Sequence, residues 1–296
     1  MEPKTYPDGV TSWIDTEQRD LEAAQRFYGG LFGWTFTEAT PPGAAVRYVV
    51  AQLDGLDVAG LSGPAGPGAS TVAGAQDEGA VDEGRQGSSS TWNTYVAVSD
   101  ADAAAARVRA SGGRVLEAPS DAGEAGRSAV CADPAGVTFR LWQARRRPGA
   151  QAVNVPGGWN FSDLHAADPA ASATFYTEVF GWAFDDLGFA SMIRRPGYGD
   201  HLEATTDPDI RSRQKEFAAP PGFEDAIGWL APAGEGETPH WHVSFTVADR
   251  DAAATAVERL GGAVLSRDDT EWTKTALVED PQGARLTISQ FDPQGV

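Results

Sequence analysis

All four histidines of this 296-residue chain, His165, His201, His240 and His242, lie in its C-terminal half. His240 and His242 form a His-x-His pair, and His165 follows Phe161 and Asp163 at alternating positions. In a strand, side chains at i and i+2 share one sheet face. Phe161, Asp163 and His165 are therefore expected to point one way together, as are His240 and His242. Imidazole titrates near neutral pH and a neighbouring carboxylate raises its pKa, so His242, His165 and Asp163 form a candidate acid–base group for moving protons on a bound organic molecule. The bland alternative is a strand-end hydrogen bond between Asp163 and His165. With His165 or Glu203 added, the His-x-His pair also carries donors of the kind that chelate zinc. Tyr198-Gly-Asp-His201-Leu-Glu203 has glycines at 197 and 199, which allow a tight backbone path that brings Tyr198 and His201 over a cavity. The lone Cys131 excludes an intrachain disulfide and reads as an inert buried thiol. No P-loop, dinucleotide fingerprint, serine elbow or HExxH motif is present.

Composition narrows the partners. The net charge of −19 disfavours nucleic acid and anionic lipid, and suits a neutral or cationic small-molecule ligand. Hydrophobic residues make up 41% and charged residues 22%, the balance of a globular protein. No apolar run is long enough to span a bilayer and no secretory leader is visible, so no membrane partner and a cytoplasmic location are expected. A monomer or a homodimer is expected.

The elements that must position these residues occur twice. Asp20-Leu-Glu-Ala-Ala-Gln-Arg-Phe27-Tyr28 through Phe32-Gly33-Trp34 recurs, 148 residues on, as Asp168-Pro-Ala-Ala-Ser-Ala-Thr-Phe175-Tyr176 through Phe180-Gly181-Trp182. Trp92, Asp100 and Gly112-Gly113 match Trp241, Asp249 and Gly261-Gly262, and Asp133-Pro-x-Gly136 matches Asp280-Pro-x-Gly283. The chain is thus a tandem duplication, with one domain over 1–145, a linker over 146–157 and a second domain over 158–296. Each half repeats a strand, an Asp-capped helix and further strands twice. Ala24, Phe27, Tyr28 and Leu31 mark one helical face, and Ser172, Phe175, Tyr176 and Val179 its counterpart. A Gly/Ala/Ser-rich flexible loop is expected over 62–90 and a lid-like insertion with several aromatics over 197–225. Trp13, Trp92, Trp229 and Trp241 offer flat walls for a planar ligand, although large aromatics in sheets usually belong to the core.

These motifs resemble the vicinal oxygen chelate superfamily, which includes glyoxalase I, bleomycin-resistance proteins and extradiol dioxygenases. Within it the chain looks like two-domain bacterial glyoxalase-like proteins that carry a hydroxylase label. The resemblance implies an α+β fold of four βαβββ modules, whose curved mixed sheets enclose ligand-sized cavities. It also implies where a divalent metal would be held: seven residues before the cap Asp on two first strands, and seven after the Asp of the Asp-Pro-x-Gly turn. In the first half those places hold Trp13, Asn93 and Arg140, and in the second Phe161, His242 and Thr287. Neither set can grip a dication, so no family-type metal and no cofactor are expected.

The expected function is binding of a small, partly aromatic molecule, with proton transfer of the isomerase, lyase or hydratase type in the second half. His242, His165 and Asp163 are the candidate catalytic residues. Phe161, Tyr198, His201, Glu203, His240, Trp13, Asp15 and Asn93 are the candidate binding residues. The rivals are non-catalytic sequestration of a toxic compound and a metal-dependent lyase or dioxygenase with an atypical ligand set.

Overall fold

The computed structural model describes residues 5–40, 46–64, 90–217 and 219–293. The loop expected over 62–90 lies outside the described residues from 65 to 89. Its first three residues, Ser62 to Pro64, are a correction: they extend a strand.

Four modules follow one another. The first is β1 (Thr11–Glu17), α1 (Leu21–Phe32), β2 (Thr35–Glu38), β3 (Val46–Leu53) and β4 (Leu56–Pro64). The second is β5 (Trp92–Ala97), α2 (Ala101–Ala110), β6 (Arg114–Asp121), β7 (Gly126–Ala132) and β8 (Thr138–Ala144). The third is β9 (Trp159–Ala166), α3 (Pro169–Phe180), β10 (Ala183–Asp186) and β11 (Ser191–Arg194), then α4 (Tyr198–Thr205), α5 (Ile210–Glu216) and β12 (Ala226–Pro232). The fourth is β13 (His240–Thr246), α6 (Arg250–Arg259), β14 (Ala263–Asp269), β15 (Thr273–Glu279) and β16 (Arg285–Phe291).

Each module helix starts where an Asp carboxylate accepts a free backbone N–H, at Asp20, Asp100, Asp168 and Asp249. Pro169 occupies the start of α3, where its missing N–H leaves no partner wanting. Gly33 and Gly181 take the left-handed conformation that ends α1 and α3.

The sheets close within each half. Both are eight-stranded and mixed, ordered β2-β3-β4-β1-β5-β8-β7-β6 and β10-β11-β12-β9-β13-β16-β15-β14. The helices, in contrast, pack across the halves. Phe27, Tyr28, Phe32 and Trp34 share a core with Phe245, Val257, Leu286 and Ile288 of the fourth module. Phe175, Tyr176, Phe180 and Trp182 share the other core with Val108, Phe139 and Leu141 of the second.

The repeated motifs are the two ends of this exchange. The Tyr28 hydroxyl donates to Asp280 at 2.8 Å, and the Tyr176 hydroxyl to Asp133 at 3.5 Å. Trp34 donates its indole N–H to the Gly157 carbonyl at 2.7 Å, and Trp182 to that of Gly9 at 2.6 Å. A Cβ on Gly113 would lie 2.9 Å from the Phe175 ring, and one on Gly262 equally close to Phe27, so each glycine admits the other half's phenylalanine. The segment between the halves is tied down as well: Ala150 and Ala152 are buried, and the Ala150 N–H reaches the Ser12 carbonyl at 2.8 Å. Cys131 is buried, and desolvation pushes its thiol up to about 11. No helix among the described residues is long and apolar enough to cross a membrane.

Candidate functional site

Strand parity sorts the central strands into two faces. Leu164 and Trp241 belong to a helix-side core, so Phe161, Asp163 and His165 on β9 and His240, His242 and Ser244 on β13 face the concave side. The duplication gives Asp163 a counterpart in Asp15, and the two stand in very different surroundings.

Asp15 is walled in. Its carboxylate accepts from the Tyr95 hydroxyl at 2.5 Å, Asn93 Nδ2 at 2.8 Å and the Tyr48 hydroxyl at 3.2 Å, while the Trp13 indole donates to Tyr48 at 2.9 Å. The Arg140 guanidinium stacks 5.6 Å from the centre of the Tyr95 ring. Gly60, paired with Asp15 in the sheet, makes this filling possible, since the Tyr48 hydroxyl occupies the space of a glycine Cβ, 1.9 Å from its ideal position. Trp13, Asp15 and Asn93 are therefore engaged with one another and do not line an open receptacle. Because Tyr48 is anchored by two hydrogen bonds, Gly60→Ala is expected to destabilise the protein by about 1–3 kcal/mol through overpacking. An unchanged denaturation midpoint in urea would contradict this packing.

Around Asp163 two of these places hold smaller side chains and one a larger one. Ser244 stands where Tyr95 does, Thr287 where Arg140 does, and Trp229, paired alongside Asp163, where Gly60 does. Asp163 accepts from the Trp229 backbone N–H at 3.1 Å and from Ser244 Oγ at 3.5 Å. Burial pushes its carboxyl up to about 7, against the opposing pull of His165 and these hydrogen bonds. At one end of the concave face Phe161 meets Phe223, which also meets Trp229, and Phe189 leans on Trp229 from outside. Phe217 reaches Phe291 at the end of β16, several strands across from β12. A shallow surface depression bounded by Asp185, Met192, Arg194 and Pro220 to Gly222 lies nearby, Met192 pairing with Trp229 across the strands.

The opposite end carries imidazoles. His165 and His240 pair directly across the strands, and His242 pairs with Asp163. The ring centres of His165 lie 5.0 Å from His240 and 5.5 Å from His242. Glu237, in the loop before β13, reaches His165 Nδ1 at 2.7 Å. Phe161 and His165 are four residues apart, so the aromatic and imidazole ends are separated by roughly 13 Å of strand.

Several expectations are corrected. Asp163 and His165 do not form the strand-end hydrogen bond of the alternative reading, because His165 turns to Glu237 and Asp163 to Trp229 and Ser244. The pKa of His242 is lowered, to about 3, by burial and then by the neighbouring His165 and His240 imidazoles. The 197–225 insertion is largely folded into α4, α5 and a short 3₁₀ turn over Phe223–Asp225. Its helix α4 turns Tyr198 inward, where it lines a 40 Å³ void with Tyr6 and Phe161, and His201 outward to the Thr5 carbonyl at 3.1 Å. Glu203 is ion-paired with Arg211. Sequence reasoning missed Glu237, Phe223 and Tyr48. Phe223 was legible only as one of several aromatics in the insertion, whereas Glu237 lies in a loop with no periodicity to read.

The metal-binding places implied by the family resemblance do not fit a dication in either half. Trp13, Asn93 and Arg140 are locked in the first-half network. In the second half the Phe161 ring packs on Phe223, and His242 Nε2 is hydrogen-bonded to Thr287 Oγ1 at 2.8 Å.

Comparison with known proteins agrees with the duplicated architecture. Residues 17–141 match the model of the glyoxalase/bleomycin resistance protein/dioxygenase superfamily, and residues 161–289 match that of a glyoxalase-like domain. The chain is 32% identical to "Putative glyoxylase CFP32" of Mycobacterium bovis over 98% of this chain and 97% of the relative. It is 31% identical to the "Anthracycline biosynthesis protein DnrV" of Streptomyces peucetius over 97% of this chain and 94% of that protein. Among solved structures, the Mn(II)-bound glyoxalase from Novosphingobium aromaticivorans superposes with a TM-score of 0.58 at 14% identity, covering 96% of this chain and 83% of that one. The 2,3-dioxygenase LapB from Pseudomonas sp. KL28 gives the same score and identity, covering 97% and 96%. At that identity the likeness is one of fold. With two helix-exchanged modules in each half and relatives matched over nearly their whole length, the chain belongs to the glyoxalase/bleomycin resistance/dioxygenase superfamily as a two-domain member.

Proposed function

We propose that the second half binds a small, planar, partly aromatic molecule along its concave face and transfers protons on it, while the first half is a sealed structural partner. The observation that carries this reading is the contrast between Asp15, capped by two tyrosines and an asparagine, and Asp163, which has no such caps and stands beside an aromatic wall and three imidazoles. Phe161, Phe223 and Trp229 supply the flat apolar surface, and Asp163, its carboxyl raised to about 7 by burial, the group that holds or moves a proton, with a neutral His242 beside it. The insertion, reaching from β12 to Phe291, acts as a lid. The anthracycline biosynthesis relative favours a fused-ring ligand carrying carbonyl oxygens.

Calorimetric titration with an anthracycline tests the binding. Phe223→Ala and Trp229→Ala are each expected to weaken affinity about tenfold, as loss of a stacked ring does. The chemistry is tested by mass spectrometry of deuterium uptake next to the ligand's ketone in D2O. Asp163→Asn should retain binding and slow enzyme-promoted exchange by about 100-fold or more. Binding with no promoted exchange in the unaltered protein would favour the second reading, sequestration of the ligand.

A further inference from the structure

Three side chains at the imidazole end converge in a way that proton transfer does not require. One nitrogen each of His165 and His240 and a carboxylate oxygen of Glu237 lie within 4.8 Å of one another. Bonds of roughly 2.0–2.2 Å to a common ion need only small side-chain adjustments from this arrangement. The groups around the trio already fix its orientation. The Gly234 N–H donates to Glu237 Oε2 at 2.7 Å, which leaves Oε1 facing the imidazoles, 2.7 Å from His165 Nδ1 and 3.7 Å from His240 Nδ1. His240 Nδ1 lies 2.9 Å from the Thr238 carbonyl, which orients the ring.

We propose that His165, Glu237 and His240 form a binding site for a late first-row divalent metal of the zinc class. The site is displaced from the family place towards the loop that joins β12 and β13. Two imidazoles and one carboxylate are a set that such ions accept, with positions left for water or an oxygen of a bound molecule. The displacement has a physical reason. At the family place His242 is taken by Thr287 and the first-strand ligand is the phenylalanine Phe161, whereas two residues earlier on β13 His240 meets His165 directly across the strand pair. This proposal goes beyond the proton-transfer reading, since neither Asp163 nor His242 is a ligand, and it replaces the expectation of a metal-free site.

The test uses the full chain, stripped with a chelator and titrated with Zn(II) by calorimetry and with Co(II) by visible absorption. One equivalent is expected, with a Co(II) d–d band, and Zn(II) should raise the melting temperature. Glu237→Gln, which keeps the side-chain shape, and His240→Ala should each weaken Zn(II) binding by about tenfold or more, whereas His201→Ala should leave it unchanged. Uptake below one-tenth of an equivalent would overturn the proposal. So would stoichiometric uptake that Glu237→Gln and His240→Ala leave unaffected, because the ion would then sit elsewhere. Neither readout depends on an organic ligand or on turnover, so the outcome is separate from the fate of the proton-transfer reading.

Discussion

Asp280→Ala is expected to lower the free energy of unfolding by about 4 kcal/mol, at the upper end for one substitution. Asp280 is 4% exposed and accepts four hydrogen bonds. Two come from its own turn, from the N–H groups of Gln282 and Ala284, at 2.8 and 2.9 Å. The other two come from the opposite half, from the Tyr28 hydroxyl at 2.8 Å and Gln18 Nε2 at 2.9 Å. Alanine would leave all four donors buried without this partner, and each unsatisfied donor costs about 1–3 kcal/mol before relaxation. Asp133 has the same place in the other core, but there the tyrosine hydroxyl is 3.5 Å away and the Val137 N–H is the closer donor, at 2.9 Å. Asp133→Ala should therefore cost about half as much, roughly 2 kcal/mol. Urea unfolding of the two variants makes the comparison, and equal losses would contradict an asymmetric anchoring of the halves.

The second large effect is expected on binding. If the first half is sealed by its side chains, moving those side chains into the second should seal that half too. Ser244→Tyr with Thr287→Arg installs the counterparts of Tyr95 and Arg140 beside Asp163 and His242. The added volume lies on the concave face, so anthracycline affinity should fall by at least about 100-fold, or roughly 2.7 kcal/mol. The reverse pair, Tyr95→Ser with Arg140→Thr, should leave affinity at the second-half site within about twofold. Circular dichroism and melting curves separate occlusion from misfolding, because a folded double variant that still binds normally would place the ligand elsewhere.

The fold was legible to the extent that it is local. Asp caps, glycine stops and the Phe-Tyr helical face appear in the sequence because each reflects a backbone requirement within a few residues. What the repeat could not reveal is which copy packs on which. Tyr28 reaches Asp280 rather than the turn of its own half, and nothing in either motif distinguishes the two acceptors. Strand parity likewise put His165 and His242 on one face, because period two is a property of the strand itself. The partners of those imidazoles are set by loop paths and were not readable: Glu237 enters from an irregular loop, and Tyr48 from a strand whose neighbour happens to be glycine. His201 and Glu203 were misplaced for the related reason that α4 rotates them towards Thr5 and Arg211.

Amide hydrogen exchange with and without a saturating anthracycline tests most directly whether the second half is the working half. Added protection should fall on β9, β12 and β13 and on the insertion around Phe217 and Phe223, while β1, β3, β5 and β8 stay unchanged. Protection concentrated on the first-half strands, around Asp15 and Tyr95, would contradict it.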